Sequence, residues 1–270
     1  MSAQTSQQAL ELLLFATDPR LVAEATEAGM DGFIVDWERR GKYRRQAGEG
    51  TQINNDTLED LQRVRAATRA RLICRINGFG AWTRHEIEEA IAAGADEILL
   101  PMVRDAAEVD QVLAMAVGRC GVGILIETRA GVAAAAELAR RPLSRVYVGL
   151  NDLRIDRGSS ELFAPLADGT VDRVRAAVEH SSFGVAGLTL PDRGHPVPSS
   201  LLAAELIRID AQFTFLRRSF LADTGGTSLG PAVAAIRAQL DRLVRRSDAA
   251  VERDRLALLG IVAHPEVLPA

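Results

Sequence analysis

Residues 122–152, VGILIETRAGVAAAAELARRPLSRVYVGLND, hold two short apolar runs separated by one alanine-rich stretch. The runs at 122–126 and 145–149 are almost continuously apolar, which is typical of strands covered on both faces. The stretch at 130–140 has the length and the amphipathic pattern of a helix. The segment therefore predicts two parallel strands joined by a crossover helix.

The same alternation runs along nearly the whole chain. Eight such units predict an α/β fold, a (βα)8 TIM barrel. A doubly wound open sheet is the alternative, but FATDPR, after the first strand, is not the Gly-rich phosphate loop usual there. The predicted strands are 12–17, 32–36, 72–76, 97–102, 122–126, 145–149, 183–188 and 212–217. The predicted helices are 20–28, 57–68, 84–93, 106–117, 130–140, 171–180, 199–209 and 231–246.

Two segments fall outside this alternation. Residues 39–55 form a long polar loop after the second strand. Residues 248–263 form an extra helix beyond the barrel core, which covers about 12–247 of a single domain spanning 1–270. A terminal amphipathic helix packs either on a neighbouring subunit or on its own barrel, and the pattern leaves both open. Its predicted apolar stripe consists of Val251, Leu256, Leu259 and Val262.

The composition is that of an ordinary globular protein. The 270 residues are 47% hydrophobic and 25% charged, with a net charge of −4, so no basic field indicates nucleic acid or an anionic membrane as a partner. Cys74 and Cys120 form no disulfide framework. No apolar run approaches the roughly 20 residues of a membrane span, and the amino terminus lacks a secretion-signal pattern. We expect a soluble cytoplasmic protein.

Two acidic residues follow the quoted strands. Glu127 stands directly after the first strand and Asp152 shortly after the second. Because the active site of a TIM barrel lies at the carboxyl ends of its strands, we expect the two carboxylates to meet there. Two hard oxygen ligands with room for water and substrate suit Mg²⁺, with Mn²⁺ or Co²⁺ as alternatives. The competing interpretation is that each residue caps a neighbouring helix.

Further polar residues stand at the same ends of other strands. Asp36 and Glu38 share one face of the extended chain, and Arg75 lies at the carboxyl end of the third strand. Arg75 can clamp the carboxylate of a 2-keto acid, so that a metal ion and a guanidinium both stabilise the enolate. The alternative is a purely structural pair between Arg75 and Glu38. Strands six to eight end near Asn151, Thr189 and Arg217-Arg218-Ser219.

Two nearby loops offer further candidates. The loop after the second strand is either solvated or receives an anionic group of a second substrate; its basic residues are Arg39, Arg40, Lys42, Arg44 and Arg45. His195, after strand seven, is either a general base or an ordinary polar loop residue. Lys42 is the single lysine and lies in this charged loop, which disfavours a Schiff-base mechanism.

At these residues the chain resembles the HpcH/HpaI aldolase and citrate lyase β-subunit family. The resemblance covers roughly residues 12–220. The matching segments are GFIVDWE (32–38), ICRINGFGAW (73–82), AAGADEILLPMV (92–103), ILIETRAG (124–131) and VGLNDL (148–153).

The resemblance implies specific roles. Glu127 and Asp152 would bind the divalent metal ion and Arg75 the substrate, while Asp36 and Glu38 match the family's acidic pair. Gly149 and Leu150 would give backbone contacts to the keto acid, beside Asn151 and Thr189 at the same face. The final helix would be exchanged between subunits of a homo-trimer or homo-hexamer.

Two positions depart from the family pattern. Arg39 stands where the pyruvate aldolases carry a proton-transferring histidine, and Leu125 replaces a frequent glutamine. We expect a metal-dependent carbon–carbon lyase acting on a pyruvate-like 2-keto acid and an aldehyde, with Arg39 and His195 among the catalytic candidates. The alternatives are a coenzyme-A thioester lyase of the malyl- or citramalyl-CoA type and a binding protein that has lost catalysis.

Overall fold

In the computed structural model, eight parallel strands form a closed barrel in the order β1 to β8. The structure describes residues 9–46 and 54–264. The strands are β1 (Glu11–Phe15), β2 (Gly32–Asp36), β3 (Arg71–Arg75), β4 (Glu97–Leu100), β5 (Gly121–Ile126), β6 (Arg145–Val148), β7 (Ser182–Leu188) and β8 (Phe213–Leu216). The helices of these residues are α1 (Pro19–Glu27), α2 (Lys42–Arg45), α3 (Leu58–Ala67), α4 (Thr83–Ala92), α5 (Ala106–Ala116), α6 (Arg129–Ala133), α7 (Ala135–Leu138), α8 (Leu150–Arg157), α9 (Ala164–Ala167), α10 (Thr170–Ala177), α11 (Ser199–Arg208), α12 (Ser219–Asp223), α13 (Leu229–Val244) and α14 (Asp248–Ala263).

The predicted (βα)8 TIM barrel is confirmed. All eight strands lie where apolar runs predicted them, and the β2 and α14 bounds agree with the prediction. The predicted helix at 130–140 is two short helices, α6 and α7. Three short helices, α8, α9 and α12, were not predicted. The predicted polar loop at 39–55 contains α2, and its residues 47–53 lie outside the described part of the chain.

The barrel interior explains which side chains reach the carboxyl-terminal mouth. One buried ring of side chains fills the centre; it includes Leu13, Ile34, Ile73, Leu99, Leu125, Tyr147, Phe213 and Phe215. Successive side chains of a strand alternate between faces, so the next inward position lies two residues further along. Those positions bring Asp36, Arg75, Glu127, Gly149 and Arg217 to the carboxyl ends.

Beneath the carboxyl-terminal mouth the barrel is filled by packed rings and closed by a buried ion pair. The Tyr147 and Phe215 rings stack with centroids 4.0 Å apart. The Arg145 guanidinium lies 4.5 Å from the Phe213 ring centroid and pairs with Glu97, whose side chain is fully buried. Such a filled interior is a packed core and not a pore.

The last helix packs on its own chain. Helix α14 lies against α11 and α9, and Arg255 joins them through an ion pair of 2.6 Å with Glu205. The predicted apolar stripe is wrong in detail: Leu258 is fully buried, whereas Leu256 is 58% exposed. The structure therefore has the arrangement that we kept as an alternative, while exchange between subunits of a trimer or hexamer stays a prediction.

Within the described ranges, no helix combines the length and the apolar character needed to cross a bilayer.

Candidate active site

Arg75 is held at the mouth of the barrel by the acidic pair of β2. Residues 36 and 75 are register partners on adjacent strands. The Arg75 guanidinium donates from Nε to Asp36 Oδ1 at 2.8 Å and from Nη2 to Asp36 Oδ2 at 2.6 Å, and its Nη1 lies 3.6 Å from Glu38 Oε2. This bidentate fork fixes the plane of the guanidinium, and the Arg75 side chain lines the cavity.

Charge pairing sets the ionisation of these groups. Burial alone would raise the pKa of Asp36, but the charge and hydrogen bonds of Arg75, helped by Lys42, lower it from 3.8 to about 2. The pKa of Glu38 is also lowered, since Arg75, Lys42 and Arg45 outweigh the effect of burial. The pair with Arg75 that we kept as a structural alternative therefore exists, and it involves Asp36 more than Glu38.

The basic residues after β2 divide into two groups: Arg39 and Arg40 are exposed, whereas Lys42 and Arg45 pair with acidic residues. Lys42 is fully buried in the first turn of α2, with Nζ 3.2 Å from Asp36 Oδ2 and 3.1 Å from Glu38 Oε2. Arg45 donates from Nη2 to Glu38 Oε1 at 2.5 Å, and its Nε lies 3.4 Å from Asp152 Oδ1. Two cations of the predicted anion-binding run are thus counterions of the acidic cluster. The side chain of Arg44 lies outside the described residues.

Glu127 and Asp152 meet at the mouth as predicted, although Asp152 lies in the first turn of α8 and not on a strand. Glu127 is 3% exposed, and its Oε1 accepts the N–H of Met102 at 2.9 Å. Burial, followed by the negative charge of Asp152, raises the pKa of Glu127 well above its usual range. Burial and the charge of Asp152 outweigh the opposing charge of Arg75 at Glu127, while Asp152 has Arg45 at 3.4 Å.

This donor set fits a divalent cation of the magnesium type. Glu127 and Asp152 are hard oxygen donors, and such ions keep several waters and bind through one or two carboxylates plus substrate oxygens. In the described ranges, no group of three or more His, Cys, Asp or Glu side chains is arranged to hold a metal ion. The two Asp152 carboxylate oxygens accept from Gln46 Nε2 at 3.2 and 3.1 Å, and Arg45 of α2 lies beside them. A cation would therefore share this carboxylate with Gln46 and Arg45.

Gly149 serves the site in a different way from the predicted backbone contact. Its N–H donates to Ile126 O at 3.1 Å, so this amide is already engaged. A Cβ at this position would lie 2.4 Å from Glu127 Oε2, and the glycine therefore makes space for that carboxylate. Leu150 and Asn151 begin α8, where first-turn amides have no acceptor within the helix, and both line the cavity.

One cavity of about 800 Å³ opens at this face, and it decides which predicted residues reach a ligand. Arg75, Glu127, Asp152, Asn151 and His195 line it. His195 is exposed at its rim.

Four predicted site residues are not on the cavity wall. Asp36 and Glu38 are buried behind Arg75 and position it. The structure does not bring Arg39 to the cavity wall: its side chain is exposed, and its backbone N–H donates to Asn77 Oδ1 at 2.8 Å. Thr189 does not reach the wall either; its N–H donates to Ser199 Oγ at 3.0 Å and its hydroxyl to Asp223.

The structure adds residues that sequence reasoning missed. Gln46 contacts Asp152, and Asn54 donates to Asp36 Oδ2 at 3.3 Å. Asp56 lines the cavity, accepts the N–H of Asp36 at 2.8 Å and has a pKa raised by burial. The capping box of Thr57 and Asp60, at the start of α3, is a local signal in the sequence that could have drawn attention to Asp56 beside it.

The model of the HpcH/HpaI aldolase/citrate lyase family matches residues 10–163, more than half of the chain. The chain belongs to this family. Two (3S)-malyl-CoA thioesterases from different strains of Cereibacter sphaeroides are similar to it. One is 39% identical over 89 residues, covering 32% of this chain and 31% of that protein. The other is 37% identical over 101 residues, covering 37% and 35%. The match thus spans about a third of the length of these curated relatives.

Solved structures share the fold at low sequence identity. The HpcH/HpaI aldolase from Desulfitobacterium hafniense DCB-2 has a TM-score of 0.61 at 15% identity, covering 82% of this chain and 91% of that one. The citrate synthase SbnG has a TM-score of 0.59 at 19% identity, covering 83% and 93%. RipC from Yersinia pestis has a TM-score of 0.56 at 19% identity, covering 90% and 98%. These likenesses show the common barrel.

Proposed function

We propose that this family member is a divalent-metal-dependent carbon–carbon lyase that acts on a pyruvate-like 2-keto acid and an aldehyde. The observation that carries the proposal is the arrangement of Glu127, Asp152 and Arg75 around one cavity. Acidic oxygen donors and a fixed guanidinium face the same small volume. That combination suits a substrate with adjacent keto and carboxylate oxygens, on which negative charge develops.

Arg75 would bind the carboxylate of the keto acid. Its Nε and Nη2 are committed to Asp36, so the substrate would meet the remaining edge of the guanidinium. Little conformational entropy of the Arg75 side chain is lost when the substrate binds, because the bidentate contact with Asp36 already fixes the plane of the guanidinium. Asp36 and Glu38 are positioning residues in this scheme.

Glu127 and Asp152 would hold the divalent ion, which we expect to be Mg²⁺, with Mn²⁺ or Co²⁺ as substitutes. When bound, such an ion acts as a Lewis acid for the keto oxygen and stabilises enolate charge. Gly149 keeps the space for the Glu127 carboxylate, and the Met102 N–H orients it. Gln46 and Arg45 orient Asp152 from the other side.

Two cavity-lining groups can move a proton at the keto acid or the aldehyde. His195 stands at the exposed rim, where an incoming aldehyde would pass. Asp56 lies deeper, and its raised pKa brings it closer to the range of a useful acid or base. Arg39, which stands at the family's histidine position, is exposed and not on the cavity wall, and it takes no part in our scheme.

The test is metal-dependent exchange of the methyl protons of pyruvate in D₂O, followed by proton NMR. This half-reaction needs no aldehyde. We expect Asp152→Ala to slow the Mg²⁺- or Mn²⁺-supported exchange by about 100-fold or more, in the range of lost electrostatic catalysis. Asp156→Ala is the matched control, because Asp156 lies on the same helix and outside the cavity wall. Exchange by Asp152→Ala at the wild-type rate would disprove the assignment.

A second candidate is a coenzyme-A thioester enzyme, which the similarity to the (3S)-malyl-CoA thioesterases favours. The assay is cleavage of malyl-CoA and citramalyl-CoA, with release of free thiol and of glyoxylate or pyruvate measured separately. Thiol release without the keto acid would indicate a thioesterase, and release of the keto acid would indicate a lyase. Metal binding without exchange or turnover would indicate a barrel that has lost catalysis.

A further inference from the structure

Arg217 is a second guanidinium on the lining of the cavity, at the end of β8, whereas Arg75 stands at the end of β3. It takes the next inward position after Phe215 of β8 and lines the cavity. Its Nε donates to Gly187 O at 2.8 Å, and its Nη2 lies 3.4 Å from Val197 O. A Cβ at Gly187 would lie 3.1 Å from Arg217 Cγ, so the glycine leaves room for this side chain. The fork is therefore fixed by neutral carbonyl groups.

Arg217 and its neighbour Arg218 differ from the other cavity cations in having no carboxylate. Among the described residues, neither forms an ion pair, whereas Arg75 and Lys42 each pair with two acidic groups, Asp36 and Glu38. Burial lowers the pKa of both guanidinium groups; the charge of Asp223 opposes this for Arg217, while for Arg218 the charge of Arg75 adds to it and those of Asp36 and Asp152 oppose it. Arg217 is partly buried and Arg218 is exposed on the cavity lining. A partly desolvated guanidinium that has no ion-pair partner is stabilised when an anion binds to it.

The remaining lining on this side is mostly apolar. Leu162 and Phe163 belong to the same wall, and the Phe163 ring centroid lies 5.7 Å from the Arg217 guanidinium carbon. Asp18 also lines the cavity, and its Oδ1 caps α1 by accepting the N–H groups of Arg20 and Leu21. Asp223, whose charge acts on Arg217, accepts the hydroxyl of Thr189. The wall thus offers an apolar surface that leads to two arginines.

We propose that Arg217 and Arg218 form an anion subsite for the second substrate. The subsite receives a carboxylate or phosphate at the end of the aldehyde remote from its carbonyl group, while the carbon chain lies on Phe163. The assignment of the occupant as an aldehyde rests on the proposed function. The subsite replaces the basic loop after β2 as the receptor of an anionic partner, because Lys42 and Arg45 are engaged with the acidic cluster.

The kinetic test compares charged and neutral aldehydes of matched skeleton in aldol addition to pyruvate. 5-Oxopentanoate against pentanal reports a carboxylate subsite, and glyceraldehyde 3-phosphate against glyceraldehyde reports a phosphate subsite. We expect the charged member of one pair to have a kcat/KM at least about 10-fold above the neutral one. Arg217→Gln and Arg218→Gln should each reduce this preference about 10-fold, and Arg193→Gln, an exposed arginine outside the cavity wall, should keep it.

A binding test separates this proposal from the proposed function. Isothermal titration of metal-free protein with inorganic phosphate and with glutarate needs no turnover. We expect Arg218→Gln to weaken binding of the preferred anion about 10-fold. Among the described residues the Arg218 side chain makes no hydrogen bond, so its replacement should not destabilise the fold. Anion binding without pyruvate exchange would retain the subsite and refute the lyase. If Arg217→Gln only lowers the melting temperature and Arg218→Gln binds anions like wild type, the subsite is refuted.

Discussion

Gly149→Ala tests the geometry of the Glu127 carboxylate. The added methyl group would lie 2.4 Å from Glu127 Oε2 and 2.9 Å from Glu127 Cβ. Ordinary contact begins at 3.4 Å, so the oxygen must retreat by about 1.0 Å and the Cβ by about 0.5 Å. Rotation of the side chain relieves the first clash but not the second, because a Cβ moves only with its backbone. We therefore expect β5 and β6 to separate locally.

The expected magnitude follows from overpacking a rigid core. Such insertions cost about 1–3 kcal/mol, which for a domain of this size lowers the melting temperature by about 3–10 °C. Mg²⁺ and Mn²⁺ sites demand ligand distances near 2.1 Å with little tolerance, so a shift of about 1 Å should weaken metal binding at least about 10-fold.

The assay is calorimetric melting together with titration of Mn²⁺ by electron paramagnetic resonance. Gly260→Ala is the control, since a Cβ there meets nothing within 4 Å and the residue lies inside α14. The control should match wild type or exceed it slightly in stability. Wild-type melting and Mn²⁺ affinity in Gly149→Ala would refute the steric argument. A lower melting temperature with unchanged Mn²⁺ affinity would refute Glu127 as a ligand.

Three further outcomes follow from the same contacts. Arg75→Lys removes the fork to Asp36 and should raise the KM for the keto acid about 10–100-fold in the pyruvate exchange assay; an unchanged KM would exclude Arg75 from substrate binding. The pKa of Asp36 is about 2 in the folded protein, against 3.8 for an unperturbed aspartate. The ionised carboxylate therefore contributes roughly 2 kcal/mol to the free energy of unfolding above pH 4, and about half of that contribution is lost by pH 3. Urea unfolding at pH 7 and pH 3 should show a smaller acid loss in Asp36→Asn than in wild type, and an equal loss would contradict the shift. Leu258→Ala should cost about 2–4 kcal/mol. Its melting temperature should not vary with protein concentration if α14 packs on its own chain, whereas a strong variation would indicate exchange between subunits.

The barrel and half of the site were predictable because they depend on local patterns. Near-continuous apolar runs indicated eight covered strands, and alternation from Ile73 and Leu125 places Arg75 and Glu127 at the inner mouth. These inferences need only the period of a strand and the polarity of its residues. The chain's own register then brings Asp36 opposite Arg75.

The remainder depends on contacts between distant parts of the chain. Gln46 and Asp152 are 106 residues apart, and no local pattern links them. Helix α2 is a single turn, too short for a periodic signal, so Lys42 looked like a solvated loop residue although it is buried. Thr189 was misplaced because β7 has a register irregularity between Gly184 and Gly187, which breaks the simple two-residue alternation.

The filled interior beneath the cavity has a kinetic consequence. In the part of the chain that the structure describes, Tyr147 and Phe215 form the bottom of the cavity, and the rings and ion pair below them close the amino-terminal end. Ligands therefore exchange with solvent from one direction. In an enzyme with two substrates and such a one-ended cavity, the substrate that binds deeper has to bind first, and in the cleavage direction it has to leave last. For the proposed keto acid and aldehyde, initial rates should follow compulsory-order binding with the keto acid first, and excess aldehyde should hold the keto acid in the cavity.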